Sequence, residues 1–155
     1  MKAQRTAIKP QVVDDKFLSV LFGNGINSSE SYSDREWIAK IRSGLPVAVI
    51  GELAEKMEVP QKDIARWLHT TPRTIQRSVE SNSLLGLDMS DRVGQLIRVF
   101  TRCKQVFGDS KKVATWLKTP NYALGNVAPN DLLDTIPGME LVLDEIGRIE
   151  HGVFI

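Results

Sequence analysis

Residues 61–80 read QKDIARWLHTTPRTIQRSVE, and they predict two short helices joined by a tight turn. The residues that would pack the two helices together are apolar and stand at helical spacing: Ile64, Ala65, Leu68 and Ile75. Ala65 is small enough to let the two helices cross closely. Pro72 stands at the first position of the second helix, where its missing N–H costs nothing. The stretch therefore predicts a helix-turn-helix.

The outward face of this predicted unit is rich in side chains that bind nucleic acid. Arginine contacts phosphates, and arginine or glutamine also reads base edges in the major groove. The candidate DNA-binding residues are Arg66, Thr71, Arg73, Thr74, Gln76 and Arg77, of which Thr71 is also placed to cap the second helix. A single helix-turn-helix usually works as a dimer on two half-sites. The alternative is a helical hairpin that binds nothing and whose arginines are solvated.

Two positions depart from the usual helix-turn-helix pattern. His69 stands at the turn position that usually holds glycine, and this position often needs a left-handed backbone, which histidine tolerates only moderately. Ser78 stands where an apolar residue is more common, so we expect Val79 to take over that packing role.

The sequence on both sides of this unit also predicts helices. Ser33 and Glu36 form a capping-box pattern, and Gly44 ends the helix that they begin. We expect Pro46 to open the next helix and Ser90 to cap a longer one. Residues 1–32 predict a polar arm and a loop. Because no long stretch alternates with period two, the sequence predicts an all-α protein.

The final third predicts several short helices with sharp corners. Val113, Trp116 and Leu117 share one stripe of a helix, which Thr119-Pro120 ends. Pro129 is expected to open another helix, and Pro137-Gly138 to separate it from the last helix, at about 139–151. Gly152 suits a left-handed cap. The chain then reads Val153-Phe154-Ile155, an apolar segment that either folds back on its own core or inserts into a partner.

Composition and charge limit the possible classes of protein. The 155 residues are 42% hydrophobic and 25% charged, which is ordinary for one folded domain or two small ones. Residues 1–108 carry 16 Lys/Arg and 12 Asp/Glu, whereas residues 109–155 carry four and seven. This asymmetry suits different partners for the two parts. A single cysteine, no membrane-length apolar stretch and no secretion signal favour the cytoplasm.

Catalytic and metal-binding patterns are not found in the sequence. The two histidines, His69 and His151, fall in different predicted parts, and with Cys103 they give no metal-ligand spacing. Glu150 and His151 are neighbours on a helix and point in different directions. We therefore expect neither an enzyme nor a cofactor or metal site.

Two motifs carry a resemblance to a known family. The pattern Ile-Ala-x-x-Leu followed by Arg-Thr-Ile-x-Arg (residues 64–77) resembles the DNA-binding half of Xre-type antitoxins. The run Trp-Leu-x-Thr-Pro-Asn-x-Ala-Leu-Gly (residues 116–125) resembles the toxin-binding domain of the Xre/MbcA/ParS antitoxin family, over roughly residues 86–155. Together with the polar arm and loop at 1–32, the resemblance predicts a DNA-binding domain at 33–85 and a toxin-binding domain at 86–155.

The family's function implies two partners for this chain. Antitoxins of this group cover the active-site cleft of a RES-domain toxin that depletes NAD, and they bind operator DNA for autoregulation. The resemblance implies a homodimer within a toxin–antitoxin complex. The candidate toxin-binding residues are Asn121, Leu124, Asp131, Glu150, His151, Val153, Phe154 and Ile155. The acidic side chains of Asp131, Asp134 and Glu150 are expected to form ion pairs with cationic side chains in the nucleotide-binding cleft of the toxin.

Two other interpretations remain open from the sequence. The first is a helix-turn-helix transcription regulator whose C-terminal domain dimerises or senses a small ligand. The second is a protein whose helix-turn-helix has lost DNA binding and only joins subunits.

Overall fold

The structure, a computed structural model, describes residues 33–152. Within that range the chain forms seven α-helices: α1 (Asp34–Ser43), α2 (Ala48–Met57), α3 (Gln61–Trp67), α4 (Pro72–Glu80), α5 (Leu87–Phe107), α6 (Ser110–Lys118) and α7 (Ile136–Glu150). Two 3₁₀ turns, Tyr122–Leu124 and Pro129–Leu132, lie between α6 and α7. The predicted all-α class is confirmed, since β-pairing in residues 33–152 is limited to two isolated bridges. The predictions for residues 1–32 and 153–155 lie outside the described residues.

Several helix ends follow from short sequence signals. The Ser33 hydroxyl accepts from the Glu36 amide at 3.3 Å, and the Glu36 carboxylate accepts from the Ser33 amide at 2.7 Å, so the predicted capping box is present. Gly44 ends α1 with φ of 91°, a backbone conformation that favours glycine. Asp109 caps α6 by accepting from the Lys111 amide at 2.9 Å.

The predicted role of Ser90 as a helix cap is wrong. Helix α5 begins at Leu87, so Ser90 lies inside it and is fully buried. Its hydroxyl accepts from the Leu45 amide at 3.0 Å and donates to the Leu85 carbonyl at 3.1 Å. The hydroxyl therefore satisfies buried backbone groups of two connecting segments, a task that no local pattern shows.

Three predicted roles of proline also need correction. Pro137 and Gly138 do not separate two helices but lie in the first turn of α7, which Thr135 caps by accepting from the Gly138 amide at 3.0 Å. A proline fits there because first-turn amides have no partner within the helix. Pro129 opens only a 3₁₀ turn, and Pro46 precedes α2, which begins at Ala48.

Helix α5 is the central element of the core. It packs against α1, α6 and α7, and its buried side chains include Val93, Leu96, Ile97, Phe100 and Cys103. Buried residues of α2, α3, α4, α6 and α7 belong to the same continuous cluster. Burial raises the pKa of the Cys103 thiol, so this cysteine packs as a small apolar side chain. The predicted helix-turn-helix and the C-terminal part are thus joined by one core.

Candidate DNA-binding and partner-binding surfaces

Residues 61–80 form the predicted helix-turn-helix. Helix α3 ends at Trp67, and Thr71 caps α4 by accepting from the Thr74 amide at 3.2 Å. Ile75 is buried where α4 meets Ala65 and Leu68, which are also buried. Of the candidate DNA-binding residues, Arg73, Thr74, Gln76 and Arg77 are all exposed on α4. The structure therefore presents four predicted contacts on one short, capped helix.

The turn between α3 and α4 contains the left-handed backbone that the sequence predicted. His69 has φ of 54°, in the region that glycine adopts most easily. Its ring Nε2 lies 2.6 Å from the carbonyl oxygen of Asp134, so the ring donates a hydrogen bond to the C-terminal part of the chain. This contact helps to explain why a histidine is accommodated at the position.

The prediction that Val79 replaces Ser78 in packing is wrong. Val79 is 45% exposed, whereas Ser78 is half-buried and lines a small cavity with Ile75 and Leu85. Ser78 keeps the inward position because it stands three residues after Ile75 on the same face of α4.

Arg66 and Asp131 connect the two predicted sites. The Arg66 Nη2 atom lies 3.8 Å from the Asp131 Oδ1 atom, and both side chains are substantially exposed. Beside this pair, the Trp67 Nε1 atom donates to the Asn130 carbonyl at 3.0 Å. One predicted DNA contact and one predicted toxin contact therefore neighbour each other across the junction between the two parts.

The segment around Asn121 is a loop closed by its own hydrogen bonds. The Asn121 amide donates to the Val127 carbonyl at 3.1 Å, and the Asn126 amide donates to the Asn121 carbonyl at 2.9 Å. The Asn121 side chain accepts from the Ala123 amide at 2.9 Å and donates to Glu145 of α7 at 3.3 Å. Asn121 therefore fixes the shape of the loop and its place on α7, and Leu124 packs against the core from within this loop.

Glu150 and His151 lie at the end of α7. The Glu150 carboxylate receives two hydrogen bonds from the Arg102 guanidinium of α5, and these bonds lower the pKa of Glu150. His151 is exposed at the C-terminus of α7, and Gly152 follows with φ of 69°. Val153, Phe154 and Ile155, which would continue from this point, lie outside the described residues.

The structure does not gather all predicted partner contacts into one cluster. Asp131 precedes the first turn of α7 and Glu150 ends it, which separates them by about 20 Å along a helix of this length. The candidates are thus distributed along α7 and its flanking loops.

Sequence reasoning missed an exposed aromatic residue in the same region. Tyr122 is 80% exposed in the hydrogen-bonded 121–127 loop, and Leu141 on α7 is 51% exposed. The run Asn-Tyr-Ala-Leu-Gly contained the signal, because an aromatic residue inside a tight turn has few ways to reach a core. An exposed tyrosine on a fixed backbone is a typical interface anchor.

Metal-ligand clusters and membrane-spanning helices are both absent from the described range. Residues 33–152 contain no group of three His, Cys, Asp or Glu side chains placed to hold a metal ion. No helix in that range is long and apolar enough to cross a membrane.

Comparison with known proteins identifies both parts of the chain. Residues 36–98 match the model of the antitoxin Xre-like helix-turn-helix domain, and residues 104–152 match that of the antitoxin Xre/MbcA/ParS C-terminal toxin-binding domain. An Antitoxin Xre from Photorhabdus laumondii is 34% identical over 116 residues, covering 74% of this chain and 78% of that protein. The chain belongs to the Xre/MbcA/ParS antitoxin family.

Two more comparisons agree with this family membership. A protein of Sphingobium sp. named Prs ADP-ribosylating antitoxin is 26% identical over 126 residues, covering 76% of this antitoxin and 79% of that protein. A chain in the crystal structure of the M. tuberculosis MbcT–MbcA toxin–antitoxin complex matches with a TM-score of 0.55 and 18% identity, over 70% of this antitoxin and 96% of that chain. At that identity, the structural match shows a shared fold alone.

Proposed function

We propose that this antitoxin binds operator DNA through α4 and neutralises a RES-type, NAD-depleting toxin by covering its active-site cleft with the C-terminal part. The observation that carries the proposal is one continuous core that joins a helix-turn-helix to a toxin-binding domain of the family. In this proposal the chain itself performs no chemistry, and the reaction on NAD belongs to the toxin.

The arrangement of α4 supports binding to operator DNA. Arg73 and Arg77 are four residues apart and therefore project from neighbouring turns of one helix face. Between them, Gln76 is exposed and its Nε2 atom lies 3.3 Å from the Glu80 carboxylate. This geometry offers two cations for phosphates or guanine and one amide for adenine. A homodimer would present two such helices to two half-sites.

The region around α7 supports a protein partner. The 121–127 loop presents Tyr122 on a backbone that is already fixed, so binding would cost little conformational entropy. The apolar tail, Val153-Phe154-Ile155, follows Gly152 directly at the far end of α7. Occlusion would combine insertion of this tail with contacts from Tyr122 and Leu124.

A toxin that uses NAD agrees with the name of one relative, and a toxin partner agrees with the name of one solved structure. The name of the Sphingobium relative contains both the words antitoxin and ADP-ribosylating, and ADP-ribosylation is a reaction that consumes NAD. The MbcA-type neighbour was solved in a complex with its toxin. These findings favour an antitoxin over a transcription regulator that only dimerises or senses a ligand.

The toxin-binding part of the proposal is tested by co-expression with the protein encoded next to this antitoxin. Cell growth and cellular NAD would be measured with the full chain, with a chain that ends after Gly152, and with Tyr122→Ala. We expect the full chain to preserve growth and NAD, the shortened chain to fail, and Tyr122→Ala to weaken protection.

A matched surface variant makes the co-expression test specific. Thr115→Ala removes an exposed side chain of α6 and should protect as the full chain does. If the shortened chain still preserved NAD, occlusion by the tail would be excluded. If the neighbour left NAD unchanged in the absence of antitoxin, the RES-type partner would be excluded.

The DNA-binding part of the proposal is tested with DNA from immediately upstream of the antitoxin's own reading frame. Arg73→Ala and Arg77→Ala should each weaken binding by about 1–3 kcal/mol if the side chain makes a bidentate base contact. A phosphate contact would instead reduce the dependence of affinity on salt by about one unit of slope. Unchanged affinity and slope in both variants would exclude α4 as the recognition helix.

A further inference from the structure

The backbone of the C-terminal part holds the turn of the helix-turn-helix from outside. The Asn130 carbonyl accepts from the Trp67 Nε1 atom at 3.0 Å. The Asp134 carbonyl accepts from two side chains, the His69 ring at 2.6 Å and the Arg92 Nη1 atom at 3.1 Å. Trp67 ends α3 and His69 follows it in the turn, so these contacts fall where the direction of α4 is set.

Arg92 connects both sides of this junction. Besides the Asp134 carbonyl, its Nη1 atom donates to the Trp67 carbonyl at 3.2 Å. Trp67 is the last residue of α3, so its carbonyl has no donor in the next helical turn. A charged guanidinium that donates to the carbonyls of both Trp67 and Asp134 makes a strong and directional link between them. Arg92 itself belongs to α5, the central helix of the core, and is only half-buried.

The turn depends on these contacts from the C-terminal part because its own backbone adopts an unfavourable conformation at His69. His69 adopts a left-handed conformation without being glycine, and such residues persist where their surroundings hold them. Only four residues separate Trp67 from the start of α4, so a change in the turn would tilt the whole recognition helix.

We propose that Arg92 is a positioning residue for sequence-specific DNA binding. Arg92 locks the end of α3 to the Asp134 carbonyl, and it thereby orients α4 for reading bases. The inference rests on the proposed binding of operator DNA by α4, and it adds a residue of α5 that lies outside the α3–α4 pair and is not needed to contact DNA.

A positioning role predicts a particular pattern of loss. Base contacts require correct placement of α4 in the groove, whereas long arginine side chains still reach phosphates from a tilted helix. Loss of Arg92 should therefore reduce the preference for the operator while leaving sequence-independent binding and its salt dependence intact. A residue that contacts phosphate directly would weaken both kinds of binding together.

The experiment compares full-length Arg92→Gln with full-length Arg98→Gln. Arg98 is an exposed residue of the same helix, so its substitution removes the same charge without touching the junction. Affinity is measured for DNA from upstream of the antitoxin's own reading frame and for a scrambled duplex of equal length, at several salt concentrations. We expect Arg92→Gln to lower the ratio of the two affinities by roughly tenfold, the size of one lost base contact, and Arg98→Gln to leave it unchanged.

A conservative variant guards against a simple loss of folding. Arg92→Lys keeps the charge but lacks the planar guanidinium that directs one nitrogen at both the Trp67 and the Asp134 carbonyls, so its affinity ratio should lie between those of the wild type and Arg92→Gln. If circular dichroism shows that Arg92→Gln is unfolded, the lysine variant decides: a reduced ratio supports the positioning role, and a wild-type ratio overturns it.

The remaining outcomes separate this inference from the proposed function. A wild-type ratio in folded Arg92→Gln overturns the positioning role and leaves operator binding standing. Equal affinity of the wild-type chain for both duplexes overturns operator binding, and the positioning role with it.

Discussion

Arg102 and Glu150 join the C-terminal half of α5 to the last turn of α7 through two hydrogen bonds between guanidinium and carboxylate, one of them 3.5 Å from Nη1 to Oε1. Glu150 stands two residues before Gly152, where the described chain ends. The pair therefore ties the last turn of α7 to α5. A residue that the sequence assigned to the toxin contact thus already has a partner within its own chain.

The first prediction concerns this pair and toxin binding. If it positions the end of α7 for the toxin, Glu150→Gln and Arg102→Gln should each weaken toxin affinity by at most about fivefold, because a partly exposed ion pair contributes about 0.2–1 kcal/mol. The double variant should lose no more affinity for the toxin than either single variant does. Isothermal titration with the purified toxin measures the effect. A loss confined to Glu150→Gln would instead indicate that the carboxylate contacts the toxin directly.

The second prediction concerns stability against pH. The Arg102 hydrogen bonds lower the pKa of Glu150 below its ordinary value of 4.5, so the unfolded chain binds a proton more readily than the folded one. The contribution of ionised Glu150 to the free energy of unfolding is complete above about pH 4.5, and it is lost as the pH falls through the lowered pKa of the folded state. Urea unfolding between pH 2 and pH 7 would be compared for the wild type, Glu150→Gln and Arg102→Gln. As the pH falls, both variants should lose less free energy of unfolding than the wild type does. A pH profile like that of the wild type would contradict the assignment of the lowered pKa to this ion pair.

The third prediction separates the two roles of His69. His69→Ala keeps the left-handed strain and loses the ring's hydrogen bond to Asp134, so it should destabilise the fold by about 1–2 kcal/mol. His69→Gly loses the same bond but relieves the strain, so it should be about 1 kcal/mol more stable than His69→Ala. Chemical unfolding of both variants tests the difference. Equal stabilities would show that the backbone conformation at this position carries no cost.

The fourth prediction uses two glycines of α7. A Cβ atom at Gly138 would overlap the Leu132 carbonyl oxygen, whereas a Cβ atom at Gly147 meets nothing within 4 Å. Gly138→Ala should therefore cost about 1–3 kcal/mol or more, since backbone has to move. Gly147→Ala should stabilise the fold by about 0.5–1 kcal/mol through helix propensity. Thermal unfolding of the two variants provides the measurement, and a stable Gly138→Ala would refute the close approach of the 3₁₀ turn to α7.

Local signals predicted much of the fold and part of the candidate site. The capping box at Ser33, the capped start of α4 at Thr71 and the left-handed backbone at His69 all depend on residues within a few positions of each other. The exposed face of α4 follows from the same periodicity. These features could be predicted because their energetics are set within single turns of the chain.

Other interpretations failed or stayed incomplete because they depended on distant neighbours. Ser90 has the residue type of a helix cap, yet its hydroxyl serves the amide of Leu45, which is 45 positions away. The sequence predicts that the Glu150 carboxylate is available to the toxin, yet it accepts hydrogen bonds from Arg102, which is 48 positions away. Sequence spacing gave no sign of either partner, since both contacts arise only when α5 packs against other elements.

Sequence patterns were enough to predict an all-α antitoxin with a helix-turn-helix, because caps, turns and apolar periodicity are local and its family motifs are contiguous. The contacts of Trp67 and Arg92 with the carbonyls of Asn130 and Asp134 became visible only in the folded chain. Backbone carbonyls occur at every residue, so the sequence does not mark which of them will accept a distant donor. That choice is made by the packing of α3 and α5 against the segment before α7, where buried or half-buried donors must find acceptors.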